Sequence, residues 1–226
     1  MTLPHGREKE HAVRSMFDRI APRYDLVNRV MTFGLDTGWR KKTVESLGLS
    51  PGDIVVDVAC GTGDLCEELS RRGFRGVGVD FSWGMLAAAH TGAPLVQGDV
   101  LRLPFKDDSV HGVTCGFALR NVSDLERLFG ECARVLVSGG RVALLEVAEP
   151  ENRLIKLGHS VYFRRVVPLI GALLSDRIAY SYLPRSTAYL PGGDDLVAML
   201  RRAGFVRVRR TLLFPGAAQL LTGTKP

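Results

Sequence analysis

The sequence predicts an α/β fold: a mostly parallel, doubly wound sheet of seven strands, helices on both faces, and a helical cover at the N-terminus. Three observations carry this. From residue 53 onward, short apolar runs alternate with segments of helical spacing, the pattern of βαβ units joined by right-handed crossovers. The run Asp57-Val-Ala-Cys-Gly-Thr-Gly-Asp64 sets a tight glycine turn between an apolar strand and a helical segment. Finally, the first three strands in chain order end on or beside an aspartate: Asp57, Asp80 and Asp99. A chain of 226 residues suffices for one such domain, here 1–226, with 1–48 as the cover and 152–190 as a helical insert.

Each element follows from local pattern. Val13, Met16, Phe17 and Ile20 share one face of a first helix, which Pro22 stops. A second begins near Tyr24 and reaches about Met31; Gly34 breaks it, and Asp36 is expected to cap a third through Trp39 and Val44. Tyr24, Asp25, Asn28, Trp39 and Arg40 are more polar and aromatic than plain packing demands. Strand one is expected at 53–58, a helix at 64–72, strand two at 76–80, and a short helix at 85–90 capped by Ser82. Strand three covers 95–97, strand four 109–115, and Ser123 is expected to cap a helix running to about 135. Ser138-Gly-Gly turns into strand five at 141–147. After the insert come a helix at 194–203 and closing strands at 206–213 and about 217–222.

Composition narrows the class. The apolar fraction of 46% is that of a globular protein with a full core. The formal charge of +6 permits an anionic partner, but the arginine pairs at 164–165, 201–202 and 209–210 are dispersed, as on solvated helix faces. Nucleic acid is therefore not expected as a partner. Cys60, Cys66, Cys115 and Cys132 lack zinc-ligand spacing and read as small buried hydrophobes, so no metal is expected. The first ten residues hold charges of both signs and no apolar core, so no signal peptide is expected, and the expected location is cytoplasmic. The apolar-leaning stretch 154–174 is broken by Lys156, His159, Arg164 and Arg165, which excludes an ordinary spanning helix but suits contact with the inner face of a membrane.

The chemistry begins at the glycine turn. A dinucleotide fingerprint would need a third glycine where Cys66 stands, so the NAD reading fails on its own pattern. Instead, an acidic residue lies four positions before Gly61-Thr62-Gly63. That arrangement resembles the first motif of class I S-adenosylmethionine (SAM) methyltransferases, which are Rossmann-like. An acidic strand end suits an ammonium or sulfonium and would repel phosphates. Ligands of open α/β sheets bind at the carboxyl ends of the strands. Asp80 lies where a carboxylate can take two ribose hydroxyls, and Asp99 where an adenine amino group would need an acceptor.

Longer segments resemble one family over nearly the whole chain, the ubiquinone/menaquinone biosynthesis C-methyltransferases (the UbiE/MenG type). They are Met16-Phe-Asp-Arg-Ile-Ala-Pro-Arg-Tyr-Asp-Leu-Val-Asn28, the glycine turn, Leu103-Pro-Phe105, Gly116-Phe-Ala-Leu-Arg-Asn-Val122, Arg134-Val-Leu136 with Gly139-Gly-Arg141, Ala179-Tyr-Ser-Tyr-Leu183 and Ala203-Gly-Phe205. The resemblance implies SAM as methyl donor, with S-adenosylhomocysteine as product, held by Asp57, Gly61, Thr62, Gly63, Asp80, Phe81, Asp99, Val100 and Gly116. It implies Arg120, Tyr24 and Asn121 at a quinol ring, and methylation of a ring carbon of a prenylated demethylquinol, demethylmenaquinol above all. A homodimer is a further expectation. An arginine is a poor base at neutral pH, so Arg120 is expected to stabilise a phenolate or position a water, with a structural pairing to Asp124 as the alternative. His111 and His159 are the titratable alternatives, expected to serve packing or to face solvent. Two sets of departures stand out: Ser138-Gly-Gly where the family has Pro-Gly-Gly, with Cys115-Gly116 where a Ser-like residue is common, and Phe214-Pro-Gly-Ala-Ala-Gln-Leu-Leu221 without the histidine usual near that end. The second leaves open a soluble acceptor in specialised metabolism, or SAM binding without catalysis.

Overall fold

The computed structural model describes residues 6–150, 158, 162, 166, 167 and 186–226, with the backbone alone at 6, 7, 9 and 10. The expectations for the insert, including the stretch 154–174 and His159, lie largely outside these residues. The chain opens with α1 (Gly6–Ile20), a 3₁₀ turn holding Pro22 (Ala21–Arg23), α2 (Tyr24–Met31) and α3 (Leu35–Ser46). Then follow β1 (Ile54–Val58), α4 (Asp64–Arg71), β2 (Arg75–Asp80), α5 (Trp83–Ala87), β3 (Leu95–Gln97), β4 (Val110–Gly116), α6 (Leu125–Val135) and β5 (Leu136–Val147). The chain closes with α7 (Gly193–Arg202), β6 (Val206–Leu213) and β7 (Ala218–Thr224).

Among the described residues, one sheet holds seven strands in the order β3-β2-β1-β4-β5-β7-β6. The first five are parallel neighbours; β7 runs antiparallel to both β5 and β6. Strand order reverses between β1 and β4, which opens a crevice at their carboxyl ends. Register brings Asp57 level with Thr114 on one side and Gly78 on the other, and Asp80 level with Gln97.

The apolar runs have their cause in burial on both faces. Val56 and Val58 of β1 and Leu144 of β5 join Leu128, Phe129 and Leu196 on one face. Val55, Ala143 and Leu145 meet Leu65, Leu69, Trp39 and Leu47 on the other. Burying each such side chain contributes roughly 1.5–3 kcal/mol, which ties α3, α4, α6 and α7 to the sheet. A third cluster, with Ile20, Val27, Met31 and Met85, joins the N-terminal helices to α5.

Three expectations need correction. Asp36 does not cap α3: Gly34, in the left-handed region at φ 75°, is the N-cap, and Asp36 lies buried in the first turn, with Arg40 and Arg29 as partners. Asp124, not Ser123, caps α6, accepting the Arg127 N–H at 3.0 Å. Strand five starts at Leu136, because Leu136 also pairs with Val110 before the Ser138-Gly139-Gly140 turn. Ser82 does cap α5, accepting the Met85 N–H at 3.2 Å. The four cysteines are buried and free.

Candidate active site

Gly63 shows why the turn after β1 is built as it is. Its φ is +92°, and an added Cβ would lie 2.5 Å from Thr91 Cγ2, so neither conformation nor space admits a side chain. Gly61, at φ +57°, has no atom within 4 Å of such a Cβ; the space it leaves belongs to a cavity. That cavity, of about 490 Å³, sits at the carboxyl ends of β1, β2, β3 and β4, where Gly61, Asp80, Phe81, Asp99, Val100 and Gly116 line it.

Asp80 organises its wall. One oxygen accepts the Gly61 N–H at 2.8 Å and the other the Ser82 N–H at 2.8 Å, so the carboxylate joins the turns after β1 and β2. Burial raises its pKa above the usual carboxylate value, against the backbone hydrogen bonds that lower it. Asp99 is exposed and accepts the Leu101 N–H at 2.8 Å.

Asp57, Thr62 and Gly63 do not line this wall. Asp57 is buried beneath the turn, accepting from Thr114 Oγ1 at 2.8 Å, and burial raises its pKa to about 7. Its other oxygen lies 3.8 Å from the Cys66 sulfur of α4, so it joins β4 and α4 below the turn. Thr62 is buried too, and its hydroxyl donates to Asp25 Oδ1 of α2 at 2.7 Å. The cover is tied down a second time by Asp18 of α1, which accepts from Ser82 Oγ at 2.6 Å and from the Gly84 N–H at 2.9 Å. A third tie is ionic, with Arg40 bridging Asp36 and Asp64; beside it the His90 ring lies 3.2 Å from Asp64 and 3.4 Å from Asp25. None of these ties was read from the sequence; each joins residues far apart in the chain.

A second cavity, of about 210 Å³, lies under the cover. Phe17, Tyr24, Phe117 and Asn121 line both cavities, so they form the partition between them. Arg120 lines the second only, beside Met16, Trp39, Val147 and Ala217. It does not pair with Asp124, which is committed to its cap. Its Nη1 instead donates to Glu146 and to the Phe117 carbonyl at 2.6 Å, its backbone N–H to Glu146 Oε2 at 3.1 Å, and its Nε to Ser186 Oγ at 3.1 Å. Glu146, wholly buried at the end of β5, escaped the sequence reading; the signal was a carboxylate inside the apolar run Val142–Val147.

Two features mark the partition and the turn beside it as strained and incomplete. Ala59 and Phe117, each just past a strand end, take positive φ values of 55° and 59°, which cost a non-glycine residue roughly 1–3 kcal/mol. Asn121 Oδ1 is the buried side-chain polar atom without a hydrogen-bond partner among the described residues, and such an acceptor favours a ligand donor. Tyr24 has its pKa raised by burial, opposed by the Arg120 cation and a hydrogen bond with Asn28. His111 serves packing, its Nδ1 accepting the Ile54 N–H at 3.1 Å.

A model of the ubiE/COQ5 methyltransferase family matches residues 5–225. The chain belongs to that family. A demethylmenaquinone methyltransferase of Roseiflexus castenholzii is 44% identical over 231 residues, spanning 99% of this chain and 97% of its own. A ubiquinone/menaquinone biosynthesis C-methyltransferase (UbiE) of Geobacter sulfurreducens is 40% identical, spanning 100% and 93%. Among solved structures, a SAM-dependent methyltransferase of Thermotoga maritima aligns with TM-score 0.66 at 20% identity, over 94% of this chain and 99% of that one. That likeness shows the fold. Among the described residues of this methyltransferase, no helix is long and apolar enough to cross a membrane.

Proposed function

We propose that this methyltransferase moves a methyl group from SAM to a ring carbon of a prenylated quinol, with demethylmenaquinol as its acceptor. One observation carries the reading: an acidic cavity at the strand ends and an apolar cavity under the cover share the wall Phe17, Tyr24, Phe117 and Asn121. A donor and an acceptor held on either side of one wall meet there, and alignment of the two supplies much of the rate of an in-line transfer. The relatives named demethylmenaquinone methyltransferase support the choice of acceptor.

The first cavity fits SAM. Asp80 and Asp99 offer carboxylate oxygens to ribose hydroxyls and amino groups, Gly61 lets the backbone approach, and the acidic wall favours a cation. When bound, SAM supplies a methyl group activated by a sulfonium. The residues of the second cavity then prepare the acceptor. A quinol carbon becomes nucleophilic as its neighbouring hydroxyl loses a proton, and Arg120 lowers the cost of the developing phenolate. Glu146 fixes the guanidinium by binding both its backbone N–H and its side chain, so Arg120 works from one position. Asn121 Oδ1 takes the remaining quinol hydroxyl proton as a hydrogen bond, and the Tyr24 phenol, kept protonated by burial, donates to an acceptor oxygen. In balance, one methyl is gained at ring carbon and one ring proton is released to water.

The departure near the C-terminus bears on the acceptor, since Pro215 and Ala217 line the second cavity. It favours a second reading, a different small-molecule acceptor on the same SAM chemistry. Labelled methyl transfer to short-chain demethylmenaquinol, with the benzoquinol counterpart and a no-acceptor control, tests both. Label in the naphthoquinol is the expected result. SAM binding by calorimetry with no label in either quinol would sink the quinol reading. A lipid-tailed acceptor also entails peripheral contact with the inner face of the membrane.

A further inference from the structure

Leu26, Val30, Phe33 and Leu35 are 56%, 40%, 78% and 37% exposed, and Phe214 is 81% exposed. The first three recur at intervals of four and three along α2 and its terminal turn, so they form a stripe on its outer side. Phe33 and Leu35 line the second cavity from the α2–α3 turn, while Pro215, next to Phe214, lines it from the β6–β7 turn. The exposed apolar residues therefore stand on two sides of one opening. Their backbone is fixed. The Trp39 indole N–H donates to the Phe214 carbonyl at 2.9 Å, Tyr162 Oη donates to the Met31 carbonyl at 2.9 Å, and the Tyr162 ring lies 5.5 Å from that of Phe33. Such a patch marks an interaction surface.

We propose that this rim docks on the surface of an anionic phospholipid bilayer and feeds the second cavity from it. The proposal rests on the reading of the acceptor as a lipid-tailed quinol. Two facts choose a bilayer as the occupant. A cavity of about 210 Å³ is smaller than the roughly 300–1,000 Å³ that encloses a typical ligand, so a prenyl tail must leave through the opening, past Phe33 and Leu35. Charge fits as well. Arg19 and Arg23, at the junction that leads into Leu26, are exposed, and the chain carries +6 overall, which favours anionic headgroups beside inserted apolar side chains.

The test is co-sedimentation of the full chain with vesicles of equal parts phosphatidylglycerol and phosphatidylcholine, against pure phosphatidylcholine. Wild type should bind the anionic vesicles, and less so as salt rises. The double variant Leu26→Glu with Phe214→Glu should bind about tenfold more weakly while methylating a water-soluble, short-chain demethylnaphthoquinol at the wild-type rate. Should this variant fail to fold, the wild-type lipid and salt dependence still decides. Wild type that ignores anionic vesicles, or a variant that binds them as well as wild type, overturns the proposal. So does a wild-type dimer that the variant splits without any vesicle binding, which makes the rim a contact between copies. Vesicle binding by a chain that methylates no quinol fails the functional reading instead, so the two failures are distinguishable.

Discussion

The two cavities differ in how they are made. The first is assembled from strand ends and the turns that follow them, and its polar groups are held by backbone hydrogen bonds, as Asp80 is by Gly61 and Ser82. The second is assembled from pieces far apart in the chain: α1 to α3, the Leu119–Asn121 turn, Ser186 and the β6–β7 turn. Its charged groups are held by other side chains, Arg120 by Glu146 and Arg40 by Asp36. A sheet edge can bind a donor common to many enzymes with little beyond its own geometry. An acceptor site must be added to it, and here the addition is the cover.

The sharpest way to break this comparison is to remove Glu146. Losing one partner of a buried ion pair leaves the other charged and unpaired, at about 3–5 kcal/mol. Glu146→Ala should lower stability by that order in denaturant unfolding and reduce quinol methylation strongly. SAM affinity by calorimetry should stay within about threefold, since neither Glu146 nor Arg120 lines the first cavity. Equal loss of SAM binding and turnover would mean the cavities are not separate sites.

Asp57 offers a test of the support beneath the first cavity. Its carboxyl is raised from 3.8 to about 7 by burial, opposed by the Thr114 hydrogen bond. As pH rises past 4 the unfolded chain releases this proton while the folded protein keeps it, so the folded state binds more protons up to about pH 7. Stability from this group therefore falls as pH rises through that window, by an upper bound of roughly 4 kcal/mol. Asp57→Asn should flatten the decline, read from unfolding midpoints of both proteins at pH 5 and pH 8. An unchanged slope would remove Asp57 as its source.

Asp80→Ala comes next. Loss of the carboxylate should weaken SAM binding by about 1–3 kcal/mol, measured by calorimetry, with acceptor affinity little changed. Unaltered SAM affinity would dismiss the assignment of the first cavity.

The same contrast explains what could be read from residues alone. The strands, the glycine turn and the acidic strand ends are local patterns with a fixed period, so the sheet and the first cavity were legible. Asp57 ends beneath the turn rather than in the cavity wall, because pattern gives a residue's strand position but not the depth at which its side chain ends. Asp36 was read as a cap because the cap preference ignores Arg29 and Arg40, which draw it inward. Glu146 and the Asp25–Thr62 contact were hidden because their partners lie 26 and 37 residues away. Resemblance to the family named Arg120 and Tyr24, yet the contacts that hold Arg120 are three-dimensional facts.

Asn121 gives the finest test, because it belongs to the partition. Its Oδ1 is buried without a partner among the described residues, so the folded protein already bears the cost of desolvating that atom. Replacing it with an apolar side chain of like size, Asn121→Leu, removes an unsatisfied acceptor. Stability should change by no more than about 1 kcal/mol and in the favourable direction. Turnover should nonetheless drop, about tenfold or more, because the acceptor hydroxyl loses the group that orients it. Thermal unfolding and methyl transfer measured on one preparation separate the outcomes. A less stable variant would mean that Oδ1 already serves the fold, and the partition would then be packing alone. A variant as active as wild type would leave Arg120 and Tyr24 to orient the acceptor without it.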